Sequence, residues 1–295
     1  MKKVRYLLGE TLGYALIYSG IARLFFNARL ARGEMTAFYF HNPSAALFEK
    51  LMSRASHWGF EFVDANTVLH QLSSGVAPKK PMLFISVDDG WQGNLANMAV
   101  HAEKVKIPVC YFISTKPLDT GEFWWCRVKN SDLMKQLKAA SNADRTEWID
   151  TLSPHPVRVA MTRDELRELS LLRHASIGNH THTHPILPSC TLPEIELELA
   201  KAHQRLVDVV GKKPTVFAYP NGDYDGRERD VLIELGYSMA FTTEPRGIVP
   251  GEPDLYQLPR FAANEHAGFA ENFCRLIGLW QTLYLRFGMT RRISN

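Results

Sequence analysis

The sequence predicts an α/β protein in which helices cover a parallel sheet. Short β-rich runs alternate with helical stretches, and this alternation is typical of parallel sheets. Polar residues with acid, base or metal-ligand chemistry follow four of these runs, as they do at the carboxyl ends of strands in such folds. Seven candidate strands fit either a barrel or a doubly wound sheet. The candidate strands are 36–40, 82–87, 108–114, 175–179, 215–219, 238–242 and 257–261.

The helices predicted between these strands have recognisable ends. Thr162 opens a capping box, and Pro193 stands at the start of its helix, where a missing N–H costs little. Gly59 and Gly236 are expected to stop the helices before them. The insert 116–153 has little period-2 pattern, so we expect a lid or a helical excursion there. The predicted helices are 44–58, 94–104, 163–172, 192–210 and 227–235.

Composition excludes several classes of protein. With 45% hydrophobic and 22% charged residues among 295, the chain is not disordered, collagen-like or a disulfide scaffold. The net charge is only +3 and the basic residues are mostly interleaved with acids, so no nucleic-acid partner is predicted. The cysteines lack the short spacing of a zinc or redox motif, which favours a thiol-reducing, cytoplasmic compartment. They are Cys110, Cys126, Cys190 and Cys274.

Apolar stretches with basic flanks lie near both ends of the sequence. The first, residues 6–22, is interrupted by Glu10, is too short and broken to span a membrane, and is followed by no signal cleavage site. As a helix it would either lie on an anionic membrane surface, on the inner face of the cell membrane, or dock on the protein's own core. The stretch 273–287 repeats the pattern. The flanking basic residues are Lys2, Lys3, Arg5, Arg23, Arg286, Arg291 and Arg292.

Three histidines lie within five residues after the predicted strand 175–179. They are His180, His182 and His184, and imidazole is the commonest metal ligand among side chains. An extended chain would place all three on one face as a three-histidine site. A turn would pair His180 with His184 and would need a further ligand, for which Asp89 is the natural candidate.

Two adjacent carboxylates, Asp88 and Asp89, follow the apolar run 82–87. Neighbouring carboxylates at the end of a buried strand repel each other unless a cation neutralises one or one holds a proton. The pair suits one metal ligand and one general base. Taken alone, however, Asp89 before Gly90 is more often a simple turn.

Other strand ends carry further candidates. The turn Tyr219-Pro220-Asn221-Gly222 can aim backbone N–H groups into a cleft, as an oxyanion hole requires, although an ordinary turn has the same sequence. Arg260, at the end of another strand, is a candidate partner for Asp88. Three side chains are expected to position or stack on substrate, with ordinary packing as the alternative. They are His41, Trp91 and Trp125.

Taken in chain order, the three motifs resemble those of the polysaccharide deacetylases, carbohydrate esterase family 4, over about residues 36–262. The motifs are Ser86-Val87-Asp88-Asp89-Gly90, His180-Thr181-x-x-His184-Pro185 and Tyr219-Pro220-Asn221-Gly222. The resemblance implies a distorted (β/α)7 barrel, here with N- and C-terminal helical extensions, and metal-dependent removal of N-acetyl or O-acetyl groups from glycans. It also implies that Asp88 is the general base and that Asp89, His180 and His184 are the metal ligands, which favours the two-histidine site.

The sequence departs from that family in two places. The family usually has an arginine where this chain has Ala218, and Arg260 is predicted to replace it. The family's late Leu-x-His, whose histidine acts as general acid, is absent, and His266 or His41 is predicted to take that role.

These observations predict three segments and one reaction. The segments are an amphipathic helical region 1–33, a catalytic domain 34–265 and a helical tail 266–295. The expected cofactor is a divalent metal, with zinc preferred over cobalt, nickel or manganese. The expected substrate is an acetylated glycan or a lipid-linked sugar of polysaccharide biosynthesis. The alternatives are an amidohydrolase acting on a non-sugar amide and a non-catalytic glycan-binding relative. The sequence does not predict an oligomeric state.

Overall fold

A single parallel sheet, curled into a half-barrel, organises the computed structural model, which describes residues 2–251 and 254–286. Its strands are β1 (Thr36–Phe40), β2 (Glu61–Val63), β3 (Met82–Val87), β4 (Val109–Ile113), β5 (Ala175–Asn179), β6 (Val216–Ala218), β7 (Met239–Phe241) and β8 (Phe261–Ala262). Their order is β7-β6-β5-β4-β3-β1-β8, and β2 pairs with the first half of β3. The predicted distorted barrel is therefore confirmed.

One segment after β7 joins the two edges of the curled sheet. The backbone of Leu258 bridges in parallel with Phe241 of β7, and a few residues later Ala263 donates its N–H to the carbonyl of Tyr39 in β1. The predicted strand 257–261 is wrong in its extent, since only the two residues of β8 form a strand there. Pro259 has no N–H to donate, and the chain at this point crosses from β7 to β1.

The helices pack on the outside of the sheet. They are α1 (Lys2–Tyr18), α2 (Ile21–Ala31), α3 (Ala45–His57), α4 (Ala65–Ser74), α5 (Val100–Val105), α6 (Pro117–Thr120), α7 (Ser131–Ala139), α8 (Asn142–Thr151), α9 (Arg163–Leu171), α10 (Leu192–Val210), α11 (Glu228–Glu234), α12 (Phe269–Leu276) and α13 (Leu279–Arg286). The capping box at Thr162 is present, and the insert 116–153 is helical as expected. β2 and α4 were not predicted from the sequence. In β2, three strand residues are too few for a period-2 pattern.

Helix α1 docks on α12 through glycines. A Cβ at Gly13 would lie 2.6 Å from the backbone carbon of Ala270, so only glycine allows this approach. Gly9, one turn earlier, faces the side chain of Glu271, and Leu16 is buried below. The docking alternative for the first apolar stretch is therefore observed.

The terminal helices share one apolar core with the sheet. Phe26 of α2 and Phe273 of α12 belong to the same buried cluster as Phe38 and Phe40 of β1. The division at residues 33 and 265 stays a prediction. Among the described residues, no helix combines the length and the hydrophobicity needed to cross a membrane. Arg291 and Arg292 lie outside the described residues.

We expect Gly13→Leu to destabilise the protein by about 1–3 kcal/mol, because the added side chain overpacks the contact between α1 and α12. Urea unfolding would measure the loss. Thr11→Leu, on the exposed side of the same helix, is the matched control and is expected to stay within about 0.5 kcal/mol of the parent. Equal stability of the two variants would contradict the docking.

Candidate active site

Three side chains from two separate segments meet at the carboxyl ends of β3 and β5. Asp89 follows β3, and His180 and His184 lie in the loop after β5; all three are buried. One carboxylate oxygen of Asp89, Oδ1, lies 3.4 Å from the Nε2 of each imidazole. The three ligand-type atoms lie within 4.8 Å of one another. The arrangement brings together the two histidines and one carboxylate of the predicted site.

Strained backbone aims these side chains. Asp89, Thr181 and His184 have positive φ angles of 76°, 67° and 57°, a region that non-glycine residues seldom occupy. Local hydrogen bonds hold the loop in this shape. The side chain of Asn179 accepts from the N–H of Thr181, and the hydroxyl of Thr181 accepts from the N–H of His184. Such strain is characteristic of sites where function fixes the geometry.

Protonation states in the cluster suit a cation. The Nδ1 of His180 lies 2.7 Å from the carbonyl of Ala218. A proton on Nδ1 leaves the lone pair of Nε2 available to a metal. Burial would raise the pKa of the Asp89 carboxyl, but the nearby imidazoles of His180 and His184 outweigh it and hold that pKa well below its usual value. Burial also lowers the pKa of His184. An ionised carboxylate and neutral imidazoles are the forms that bind a metal.

Glu198 of α10 supports the histidine loop from beneath. Its buried carboxylate accepts the N–H groups of His182 and Thr183 at 2.9 and 2.7 Å, and the Thr183 hydroxyl at 2.7 Å. These bonds fix the segment between the two ligand histidines. The sequence analysis missed this residue. The available signal was a charged side chain on the stripe of α10 that buries Ile195 and Leu199.

Asp88 lies beside this cluster and is bound by Arg260. The guanidinium donates to both carboxylate oxygens, with NH1 at 2.7 Å from Oδ1 and NH2 at 2.8 Å from Oδ2. Arg260 is fully buried, and it also donates to the hydroxyl of Ser86 and to the carbonyl of Thr242. Its catalytic role, like that of Asp88, stays a prediction.

The guanidinium of Arg260 is also enclosed by aromatic rings. It lies 4.4 Å from the ring centre of Tyr39 and 5.4 Å from that of Phe112, distances at which a cation is attracted to a ring. Ala218, which occupies the position of the family's usual arginine, belongs to the same apolar cluster as Phe112. A cation reaches Asp88 here from the segment before β8 rather than from β6.

Aromatic side chains form a wall along one side of the cluster. The indole N–H of Trp91 donates to Oδ2 of Asp89 at 2.9 Å, so it holds the carboxylate that faces the histidines. Trp125 stacks on Phe123 and lies 4.5 Å from the imidazole of His184, between ring centres. Trp91 and Trp125 are only partly buried. Their predicted contact with substrate stays a prediction.

The turn after β6 is tight and has a special backbone. Asn221 has a φ of 55°, and a Cβ on Gly222 would collide with Thr243, so glycine is required there. The ring of Tyr219 is buried against Phe217. The backbone N–H of Tyr219 donates to the carbonyl of Phe241. Pro220 is buried as well. The roles predicted for Tyr219, Pro220, Asn221 and Gly222 stay predictions, although packing of the Tyr219 ring accounts for its position.

The remaining histidines occupy different positions. His41 lies close enough to Asp89 to contribute to the low pKa of that carboxyl, and its backbone N–H donates to the Glu265 carboxylate at 2.6 Å. His266 follows Glu265 on an exposed loop. His182 turns away from the cluster, with its Nδ1 2.8 Å from the hydroxyl of Thr115. Burial lowers the pKa of His182 to about 4.

The three grouped side chains fit a small divalent cation. Ligand atoms around a tetrahedral ion with bonds of about 2.1 Å lie about 3.4 Å apart, and both histidine nitrogens lie 3.4 Å from the Asp89 oxygen. Hydrogen bonds are shorter, at about 2.7–3.2 Å. The donor set also leaves coordination positions for water and substrate, as catalytic metal sites do.

We expect Arg260→Met to cost about 3–5 kcal/mol, because it leaves the buried Asp88 carboxylate without its partner. Arg167→Met, which removes an exposed pair with Asp164, is the control and is expected to cost at most about 1 kcal/mol. Urea unfolding would compare the two. The double variant Asp88→Leu/Arg260→Met is expected to regain most of the loss. A double variant no more stable than Arg260→Met would argue against a buried charge pair.

Comparison with known proteins identifies the family. The family description "Polysaccharide deacetylase" matches residues 75–240, more than half of the chain. A chitin deacetylase from Cryptococcus neoformans is 30% identical over 83 residues, which are 28% of this chain and only 18% of that protein. The deacetylase PplD of Streptococcus pyogenes, solved with acetate, has 15% identity and a TM-score of 0.63 over 83% of this chain and 98% of its own. IcaB from Ammonifex degensii has 16% identity and a TM-score of 0.63, covering 84% and 97%.

At these identities the two solved structures show the shared fold, while the match over residues 75–240 includes Asp88, Asp89 and the histidine motif. The sequence, the curled parallel sheet and the buried aspartate–histidine cluster agree with that match, and the chain belongs to the polysaccharide deacetylase family.

Proposed function

We propose that this protein is a metal-dependent hydrolase that removes acetyl groups, N-acetyl groups above all, from a sugar of a glycan or a lipid-linked saccharide. The observation that carries the proposal is the buried cluster of Asp89, His180 and His184 directly beside Asp88. Family membership supports the reaction class. A relative named as a chitin deacetylase supports an N-acetylated sugar.

A divalent cation bound by Asp89, His180 and His184 would polarise the acetyl carbonyl and lower the pKa of a water molecule that attacks it. Zinc is the preferred ion for two imidazoles and one carboxylate, and cobalt, nickel and manganese fit the same ligands. Trp91 and the Ala218 carbonyl orient the ligands, because each binds the atom that a ligand side chain does not need for the metal.

Asp88 takes the proton of the attacking water as the general base. Arg260 occupies one lone pair on each carboxylate oxygen of Asp88, which leaves further lone pairs for the water. The same bidentate contact fixes the plane of the carboxylate. A positioned base of this kind contributes about 10²–10⁴-fold to the rate.

The reaction needs two more groups: one that stabilises the negative charge on the acetyl oxygen, and one that protonates the leaving amine. We assign the first to the backbone N–H of Asn221, in the strained turn after β6. We assign the acid that protonates the amine to His266 or His41. Both lie at the edge of the site where Glu265 binds the backbone of His41. An acid is required because an amine leaves poorly unless it is protonated.

The aromatic wall suits a sugar ring. Trp125, partly exposed and stacked on Phe123, offers a flat face next to the ligand His184. The four free cysteines fit a compartment that keeps thiols reduced, and we therefore place the enzyme on the cytoplasmic side. Such a location suits a saccharide that is still being synthesised.

Asp89→Ala and His184→Ala are each expected to abolish stoichiometric metal binding, because they remove one of three ligands. Asp88→Asn is expected to keep the metal and to lose about 10²–10⁴-fold in acetate release. Metal analysis of the purified variants and an acetate assay on a panel of N-acetylated sugars and simple amides would measure both effects.

His182→Ala is the matched control, since its imidazole lies in the same loop but contacts Thr115 instead of the ligands. It is expected to retain the metal. Near-normal deacetylation by Asp88→Asn would overturn the assignment of the base. Full metal occupancy in Asp89→Ala would overturn the assignment of the site.

Glu198→Ala is expected to weaken metal affinity by about 10–100-fold, because outer residues that orient metal ligands contribute that much. Glu196→Ala, on the exposed side of the same helix, is the control and is expected to change nothing. Competition with a fluorescent zinc chelator would measure the affinity separately from turnover. An unchanged affinity in Glu198→Ala would show that the loop keeps its shape without this carboxylate.

A further inference from the structure

The first two helices expose an unusually apolar surface. Twenty large apolar side chains are exposed among the described residues, and nine of them lie between residues 4 and 24. Elsewhere such residues are scattered singly, which is normal for a folded protein. The nine are Val4, Tyr6, Leu7, Leu8, Leu12, Tyr14, Tyr18, Ile21 and Leu24. We call them the apolar face.

Most of the apolar face is not the side through which α1 docks, although Tyr14 also contacts Phe269 of α12. Gly9, Gly13 and Leu16 face α12 or the core, whereas Leu8 and Leu12 are 66% and 49% exposed. At 100° per residue, the exposed positions average to the opposite side of the helix from the glycines, with Leu7 and Tyr18 near the centre of that side and Tyr6 nearest the docked side. The helix is therefore apolar on two sides, and packing against the protein explains only one of them.

The charge around the apolar face has one sign. Residues 1–33 include six cations and a single acid, Glu10. Two of the cations, Arg29 and Arg32, pair with Glu34, and four remain. The carboxylate of Glu10 accepts the N–H of Glu271 and so belongs to the docked side of α1. Arg5 and Arg23 are exposed, and Arg23 stacks over Trp58 at 4.8 Å from the ring centre. A surface with these charges complements an anionic partner.

The exposed tyrosines on this surface also suit a membrane–water interface. Tyr6, Tyr14 and Tyr18 are 44%, 38% and 76% exposed. Tyrosine has an apolar ring with a polar tip and is enriched where membranes meet water. Because no described helix is long and apolar enough to span a bilayer, a helix of this kind would lie in the plane of the membrane surface.

We propose that α1 and α2 form a membrane-binding surface, which holds the folded enzyme on an anionic lipid bilayer through the apolar face and its flanking arginines. A second copy of the chain is a poorer occupant, because it would bring the same excess of positive charge to this face, whereas an anionic surface complements that charge. The inference does not depend on the deacetylase activity.

The docked side of α1 packs on the helix that follows one edge of the active site. Helix α12, on which α1 docks, begins directly after the loop that carries Glu265, and Glu265 binds the backbone of His41 at the edge of the site. Phe269, the first residue of α12, lies against Tyr14.

Co-sedimentation of the full chain with vesicles tests the proposal. We expect binding to mixed phosphatidylglycerol and phosphatidylcholine vesicles, weaker binding to phosphatidylcholine alone, and loss of the difference at high salt. Leu8→Glu/Leu12→Glu is expected to lower the affinity at least about tenfold, since it puts charge into the apolar face. Arg5→Glu is expected to weaken only the preference for phosphatidylglycerol.

Leu171→Glu/Leu197→Glu is the matched control, because these leucines are 80% and 64% exposed on other helices. It is expected to bind vesicles like the parent. Thermal unfolding and metal content are expected to be unchanged in both double variants. Equal vesicle binding by the two double variants would overturn the proposal. The proposal would also be overturned if the parent did not bind vesicles but formed a dimer without lipid, and if Leu8→Glu/Leu12→Glu dissociated that dimer.

Discussion

Burial of charge at the carboxyl end of the sheet is the constraint on which the rest of this structure depends. Asp88, Asp89 and Glu198 are all nearly inaccessible to water, and an unpartnered carboxylate there would cost several kcal/mol. Each therefore has its own partners: a guanidinium for Asp88, imidazoles and an indole for Asp89, and loop N–H groups for Glu198. The fold provides these partners from different strands and helices.

Strained backbone is the means by which the fold places these groups. Asp89 and His184 have left-handed conformations that cost about 1–3 kcal/mol each. The cost is tolerated because the surrounding hydrogen bonds and the closure of the barrel fix the loops from several sides. The segment that closes the barrel also carries Arg260, so the same stretch of chain completes the sheet and neutralises Asp88.

The terminal helices extend this arrangement. Helix α1 reaches α12 through Gly9 and Gly13, and α12 adjoins the loop with Glu265 at the edge of the site. The terminal helices are thus packed against the catalytic part of the chain. One side of α1 completes the core, and its other side remains apolar and exposed. A rigid attachment of this kind would fix how the site faces any surface to which the helices bind.

The sequence by itself determined the α/β class, most strands and helices, and the two motifs with Asp89 and the histidines, because these depend on local periodicity and on residue chemistry. The residue chemistry left two arrangements of the histidines open and the family resemblance favoured one of them; the structure shows that one, since His180 and His184 turn towards Asp89 and His182 turns to Thr115. Arg260 was a candidate partner of Asp88 in the sequence, and the fold supplied the bidentate contact between them. The support from Glu198 was decided by the fold alone. Arg260 and Asp88 are 172 positions apart in sequence, and Glu198 and His182 are 16 apart. Such pairs meet only when the barrel closes and the helices pack, and no local sequence pattern predicts the contact.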